Sequence, residues 1–169
     1  MKYVIKNKIF SIGGGSTVKD EAGNDLFYVK GKLLTFTKKK YIRTLGKDVL
    51  YSVRNKFFFF LLPKVYLMDA TGKKILMIKK KSFFSFRQNF EIIMMDEGTG
   101  HNYSIQGDYI GRHYDILDNG VPVAHVRRNF NLIKDSFWLE TDLTDNAAFY
   151  IAFVIALDNY YDNVANQET

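Results

Sequence analysis

The chain has 169 residues, 47% of them hydrophobic and 16% aromatic, which fits one domain with a sizeable core and excludes a disordered composition. Cysteine is absent, so neither a disulfide framework nor a thiolate metal site can form. The net charge of +6 conceals an asymmetry: residues 1–90 hold 20 Lys and Arg against 5 Asp and Glu, whereas residues 91–169 hold 4 against 13.

In chain order, the N-terminus "MKYVIKNKIFSI" carries no apolar run long enough for a signal peptide, and the expectation is a cytoplasmic protein, at most peripheral at a membrane. "GGGST", Gly13 to Thr17, reads as a flexible turn after a first strand. It lacks the Lys-Ser/Thr ending of a phosphate-cradling loop, and no helical pattern follows it. Short apolar or alternating runs then recur between turn signals. They are Leu26–Gly31, Lys32–Thr37, Val49–Val53, Phe57–Leu62, Lys64–Met68, Lys74–Ile78, Phe90–Met95, Asn102–Gln106, His113–Leu117, Val123–Arg127 and Ser136–Glu140. Asp118-Asn119-Gly120 is the sharpest turn signal, because a two-residue hairpin needs positive φ and Asn and Gly tolerate it. Strands of this length and spacing predict a mainly β, antiparallel barrel or sandwich.

The chain also repeats itself. "FYVKG" (Phe27–Gly31) matches "YSIQG" (Tyr103–Gly107), and "VRNKF" (Val53–Phe57) matches "VRRNF" (Val126–Phe130). Two matches in the same order point to an internal duplication, with halves at roughly 1–80 and 81–142 of one domain. A closed duplicated meander removes exposed strand edges.

"AAFYIAFVIAL", Ala147 to Leu157, follows. As a helix it spans about 16 Å, half of the roughly 30 Å of a bilayer core. Asp142, Asp145, Asp158 and Asp162 bracket it, so it is not a membrane span. Asp145 or Asn146 can cap it. Its residues are apolar on every face, and such a helix must be buried on every face. A closed β wall supplies that enclosure. The prediction is a barrel of about twelve strands around a buried C-terminal helix at roughly 145–161.

A duplicated β-rich half, the segment "YSIQGDYIGRHYDILDNGVPVAHVRRNF" (Tyr103–Phe130) and the ending "AFYIAFVIALD" (Ala148–Asp158) resemble the LURP-one-related proteins. That family is grouped with the tubby C-terminal-like superfamily, which includes the phospholipid scramblases. The resemblance runs from Tyr3 to Asp158 and implies a twelve-stranded barrel around a central hydrophobic helix. It implies little about activity. Tubby domains bind phosphoinositides through basic residues on the barrel, but no stretch here matches their ligand motif. The chain lacks the transmembrane segment of the scramblases and shows no clear version of their acidic region.

The residues themselves suggest one chemistry. Three basic clusters stand out: Lys38, Lys39 and Lys40; Lys79, Lys80 and Lys81; and Arg127 with Arg128. Outward on strands, they could meet anionic lipid headgroups or an acidic protein. Lysines also protect exposed strands from sticking, and the oppositely charged halves could neutralise one another. Convergence of the clusters on one face would favour the anionic surface, and scatter would favour a protein-interaction scaffold. His101, His113 and His125 lie twelve residues apart, but no Cys or acidic cluster supports a metal site. No catalytic constellation is present, so no catalytic residue, cofactor or metal is assigned. Nucleic acid is disfavoured, because the barrel core consumes the aromatics that would stack on bases. An enzyme acting at a barrel mouth is the remaining alternative.

Overall fold

The computed structural model describes residues 1–6, 15–31, 39–56, 63–81, 90–108, 113–129 and 136–165. Twelve strands precede one long helix. They are β1 (Lys2–Lys6), β2 (Gly15–Asp20), β3 (Asp25–Gly31), β4 (Lys40–Arg43), β5 (Val49–Asn55), β6 (Lys64–Asp69), β7 (Lys74–Lys80), β8 (Phe90–Met94), β9 (Tyr103–Asp108), β10 (His113–Asp118), β11 (Val121–Asn129) and β12 (Ser136–Glu140), and the helix is α1 (Ala147–Ala165). All neighbours are antiparallel, in the order β8-β7-β6-β5-β4-β3-β2-β1-β12-β11-β10-β9. β1 pairs with β2 on one side and with β12 on the other, which joins the first strand of the chain to the last. The result is a nearly closed barrel.

Period-2 patterning sets the wall. On β4, Ile42 points inward, across from Val29 and Tyr51, while Tyr41 and Arg43 point outward. Leu67 of β6 stands between Val53 and Leu76 in the same way. Two strands depart from the sequence-based expectation. Gly15, Ser16 and Thr17 are not in a flexible turn but open β2, across from Lys30, Val29 and Tyr28. A Cβ at Gly15 would sit 2.6 Å from the Tyr28 hydroxyl oxygen, so the Tyr28 side chain would have to shift to admit one. β4 was not expected at all, since a Lys triplet at its start obscures a strand only four residues long. The expected runs Lys32–Thr37 and Phe57–Leu62 lie outside the described residues.

The two ends of the barrel differ. At one end, which we term the turn end, strands are joined by short connections closed by aspartates. The Asp20 carboxylate accepts the Asn24 N–H at 2.8 Å, and that of Asp69 accepts the N–H groups of Thr71 and Lys73 at 2.9 Å each. Asn119 and Gly120 both take positive φ between Asp118 and Val121, as the hairpin signal predicts. At the far end, β3 closes at Gly31, β4 opens at Lys40 and β7 closes at Lys80.

α1 enters from the turn end through a 3-10 turn at Thr144–Asn146. Phe149 meets Tyr51 and Tyr103 there, with ring centroids 6.0 and 5.2 Å apart. Tyr160 meets Phe90 toward the far end at 5.4 Å. Every residue from Phe149 to Tyr160 is buried, including Asp158 and Asn159. The helix is therefore enclosed all round, and each large apolar side chain it buries contributes about 1.5–3 kcal/mol. It runs four residues past the predicted end.

The two repeated sequence segments fall on β3 with β9 and toward the ends of β5 and β11.

Candidate anion-binding surface

Strand alternation decides which basic side chains reach solvent. The Lys56 N–H donates to the Lys64 carbonyl at 2.8 Å, Lys64 pairs with Lys79, and Lys79 pairs with Glu91. These side chains share one row on the outer wall near the far end. Arg54 lies one row nearer the turn end, across from Tyr66. Lys39 sits just before β4 with its ammonium 4.8 Å from the Tyr41 ring centroid, and exposed Lys81 follows β7. Lys39, Arg54, Lys56, Lys64, Lys79 and Lys81 thus form a basic strip across β4 to β7. Glu91 faces it, 2.6 Å from the Lys79 ammonium.

Apart from Glu91, the acids are elsewhere for a local reason. All five in residues 1–90, Asp20, Glu21, Asp25, Asp48 and Asp69, lie in or beside the tight turns, where carboxylates cap backbone N–H groups. Hydrogen bonds from the Asn24 side chain to Asp20, and from the Thr71 side chain to Asp69, hold these carboxyls below the usual carboxylate range. On this wall, then, Asp48 and Asp69 stand at the turn end, where Lys47, Lys73 and Lys74 accompany them, and Glu91 is the acid at the strip.

The basic residues singled out in the sequence have several fates. Lys38 lies outside the described residues. Lys39, Lys79 and Lys81 join the strip. Lys40 does not, because it shares the inward face of β4 with Ile42, stands across from Val53 and is only 3% exposed. Asp158, 7% exposed, is buried toward the same end of the barrel. Lys80 stands across from Phe90, whose ring faces Tyr160, so it belongs to the row facing the barrel mouth. Arg127 is on the opposite wall. Its guanidinium donates to Asp115 Oδ1 at 3.1 Å and to the Tyr114 and Val126 carbonyls. His125 Nδ1 lies 2.8 Å from the same carboxylate oxygen. Burial raises the Asp115 pKa, but the His125 and Arg127 hydrogen bonds and charges outweigh it and leave the carboxyl low. Arg128 continues β11 beside it.

Arg54, Lys56 and Lys64 complete the strip, and sequence reasoning missed them. They are isolated basic residues and not runs. Their signal is the i, i+2 spacing of Arg54 and Lys56, which puts both on one face of a strand.

His101 pairs with Asp118 at 2.5 Å and His125 with Asp115. Among the described residues, no three His, Asp or Glu side chains gather as a metal site. Among them, too, no helix is long and apolar enough to cross a membrane.

The family model described as LURP-one-related matches residues 1–158. A relative, Protein LURP-one-related 12 of Arabidopsis thaliana, is 30% identical over a match covering 56% of this chain and 58% of that protein. The chain therefore spans a little over half the length of that relative. In fold it is similar to the crystal structure of an Arabidopsis thaliana protein, with a TM-score of 0.63, 15% identity, and coverage of 94% of this chain and 89% of that one. The match along nearly the whole chain, on a twelve-stranded barrel enclosing one helix, places this protein in the LURP-one-related family.

Proposed function

We propose that this chain is a non-enzymatic binding module that meets an anionic phospholipid surface with the basic strip of β4 to β7. The observation that carries the reading is the gathering of basic side chains at the far end of that wall. Lys56, Lys64 and Lys79 share a row, with Lys39, Arg54 and Lys81 beside it, and the acids of the same strands stand at the other end. A basic group near an anionic membrane contributes about 1 kcal/mol, so several acting together give measurable but salt-sensitive attachment. The protein would sit peripherally on the cytoplasmic leaflet with its turn end away from the lipid.

Co-sedimentation with phosphatidylserine-containing and purely phosphatidylcholine vesicles, at low and high salt, tests this reading. Recovery should need the anionic lipid and fall with salt. Equal recovery on neutral vesicles, or recovery indifferent to salt, would sink it.

A protein-interaction role has its own supporting observation. Leu45, Met95, Val121 and Leu143 are exposed, and all four stand at the turn end. A partner captured there, with the strip lysines dispensable for capture, would favour that role.

A further inference from the structure

Eleven neighbouring strand pairs carry the barrel from β8 round to β9, and each is a hydrogen-bonded ladder. β8 and β9 themselves lie side by side without one, among the described residues. The interior behind them is well filled. Phe90 of β8 meets Tyr160, and Tyr103 of β9 meets Phe149 and Phe153 at 5.2 and 5.8 Å. Side chains close this seam, and among the described residues no backbone ladder zips it.

What bridges the seam is the segment from Met95 to Asn102, at the turn end. One side of it is bound to the β6–β7 region. The Met95 N–H donates to the Ile75 carbonyl at 2.8 Å, and the Lys73 ammonium to Asp96 Oδ2 at 2.7 Å. Its other side is bound to the β10–β11 hairpin. His101 Nδ1 lies 2.5 Å from Asp118 Oδ2, and the Asn102 N–H donates to Asp118 Oδ1 at 3.1 Å. The Asn119 N–H donates to the Asn102 carbonyl at 2.9 Å, and its side-chain amide to the Gly100 carbonyl at 2.8 Å. The His101 ring is also stacked on Tyr103, whose other neighbours are the helix aromatics. The segment is a strap fastened on both sides of the gap.

We propose that the β8–β9 seam is where the barrel opens, and that the strap, latched by His101 on Asp118, holds it shut. Opening any other interface means unzipping a whole ladder of backbone hydrogen bonds. Among the described residues, opening this one means releasing the few strap bonds at the turn end and separating side chains. Local opening follows the least costly route, and a missing ladder makes one. The surface uncovered would be Tyr103 and the first turns of α1, where Phe149 and Phe153 are otherwise buried. The seam is thus the route by which the central helix becomes exposed, independently of the basic strip.

Hydrogen exchange on the full chain, read by mass spectrometry, tests this. His101→Gln and Asp118→Asn each release the latch, and Lys73→Met releases the opposite side of the strap. Each should raise exchange in β8, β9 and residues 147–153 roughly tenfold or more, with β2 and β3 unchanged. Lys19→Met, which removes the exposed ion pair with Asp25 near another turn, should leave the seam as in the wild type. Acceleration spread evenly over every strand would mean plain global destabilisation and overturn the proposal. Acceleration confined to residues 95–102 would overturn it too, because the strap would then not govern the seam.

Discussion

Lys64 of β6 stands directly across from Lys79 of β7 on the outer wall. Like charges at such positions destabilise a sheet, by up to roughly 1 kcal/mol, and here Glu91 offsets part of the cost by pairing with Lys79. A fold selected for stability alone has no use for that arrangement. Lys64→Glu should therefore raise urea stability by about 0.3–1 kcal/mol while weakening recovery on anionic vesicles. A variant less stable than wild type would show that Lys64 has a structural role in this wall.

The enclosure of α1 makes a second prediction. Phe153 is fully buried and touches Phe149 and Tyr103. Phe153→Ala should cost about 3–5 kcal/mol. Phe153→Asp and Ile151→Asp should abolish folding, since neither carboxylate could be paired or hydrated there. Far-ultraviolet circular dichroism and yield of soluble protein decide it. A folded, soluble Phe153→Asp protein would remove the helix from the core.

Two glycines separate conformational strain from collision. Gly72 has φ +89 with open space where a Cβ would go. Gly107 has φ +116, and a Cβ there would lie 2.7 Å from the His113 carbonyl oxygen and 3.1 Å from the Tyr114 Cα, both backbone atoms that cannot step aside. Gly72→Ala should cost about 1 kcal/mol and Gly107→Ala clearly more, measured as the difference in denaturation midpoints. Equal costs would mean that β10 yields at that point.

Acid should loosen the β10–β11 wall. The pKa of Asp115 in the folded chain lies below that of the unfolded chain, because His125 and Arg127 favour the charged form. Its contribution is complete above the unfolded value, near 3.9, and is lost as pH falls through the lower folded value. Asp115→Asn should lose less stability than wild type between about pH 5 and pH 2. Parallel stability curves would indicate that other carboxylates carry the acid sensitivity.

Much of the barrel was legible because its causes are local. The alternation of Val49–Val53 and Lys74–Ile78, the Asn119-Gly120 turn and the unbroken apolarity of Ala147–Leu157 each follow from one short stretch. β2 and β4 were hidden because glycines and lysines fill them, and only their partners, Tyr28 over Gly15 and Val53 across from Lys40, make strands of them. The strip was half legible for the same reason. A run of three lysines on a strand cannot face one way, so Lys40 went inward, and single residues such as Lys56 and Lys64 took its place beside Lys79. Which strands become neighbours, and therefore which charges share a row, is a property of the ladder and not of any one segment.

The proposed binding depends on the strip of β4 to β7 and not on basic charge in general. Its most direct test compares Lys56→Glu/Lys64→Glu/Lys81→Glu with Arg127→Glu in vesicle partitioning at low salt, after circular dichroism has shown both to be folded. The triple variant should lose roughly a hundredfold or more, and Arg127→Glu, which lies on the opposite wall, should change little. Equal losses in the two proteins, or full binding by the triple variant, would contradict it.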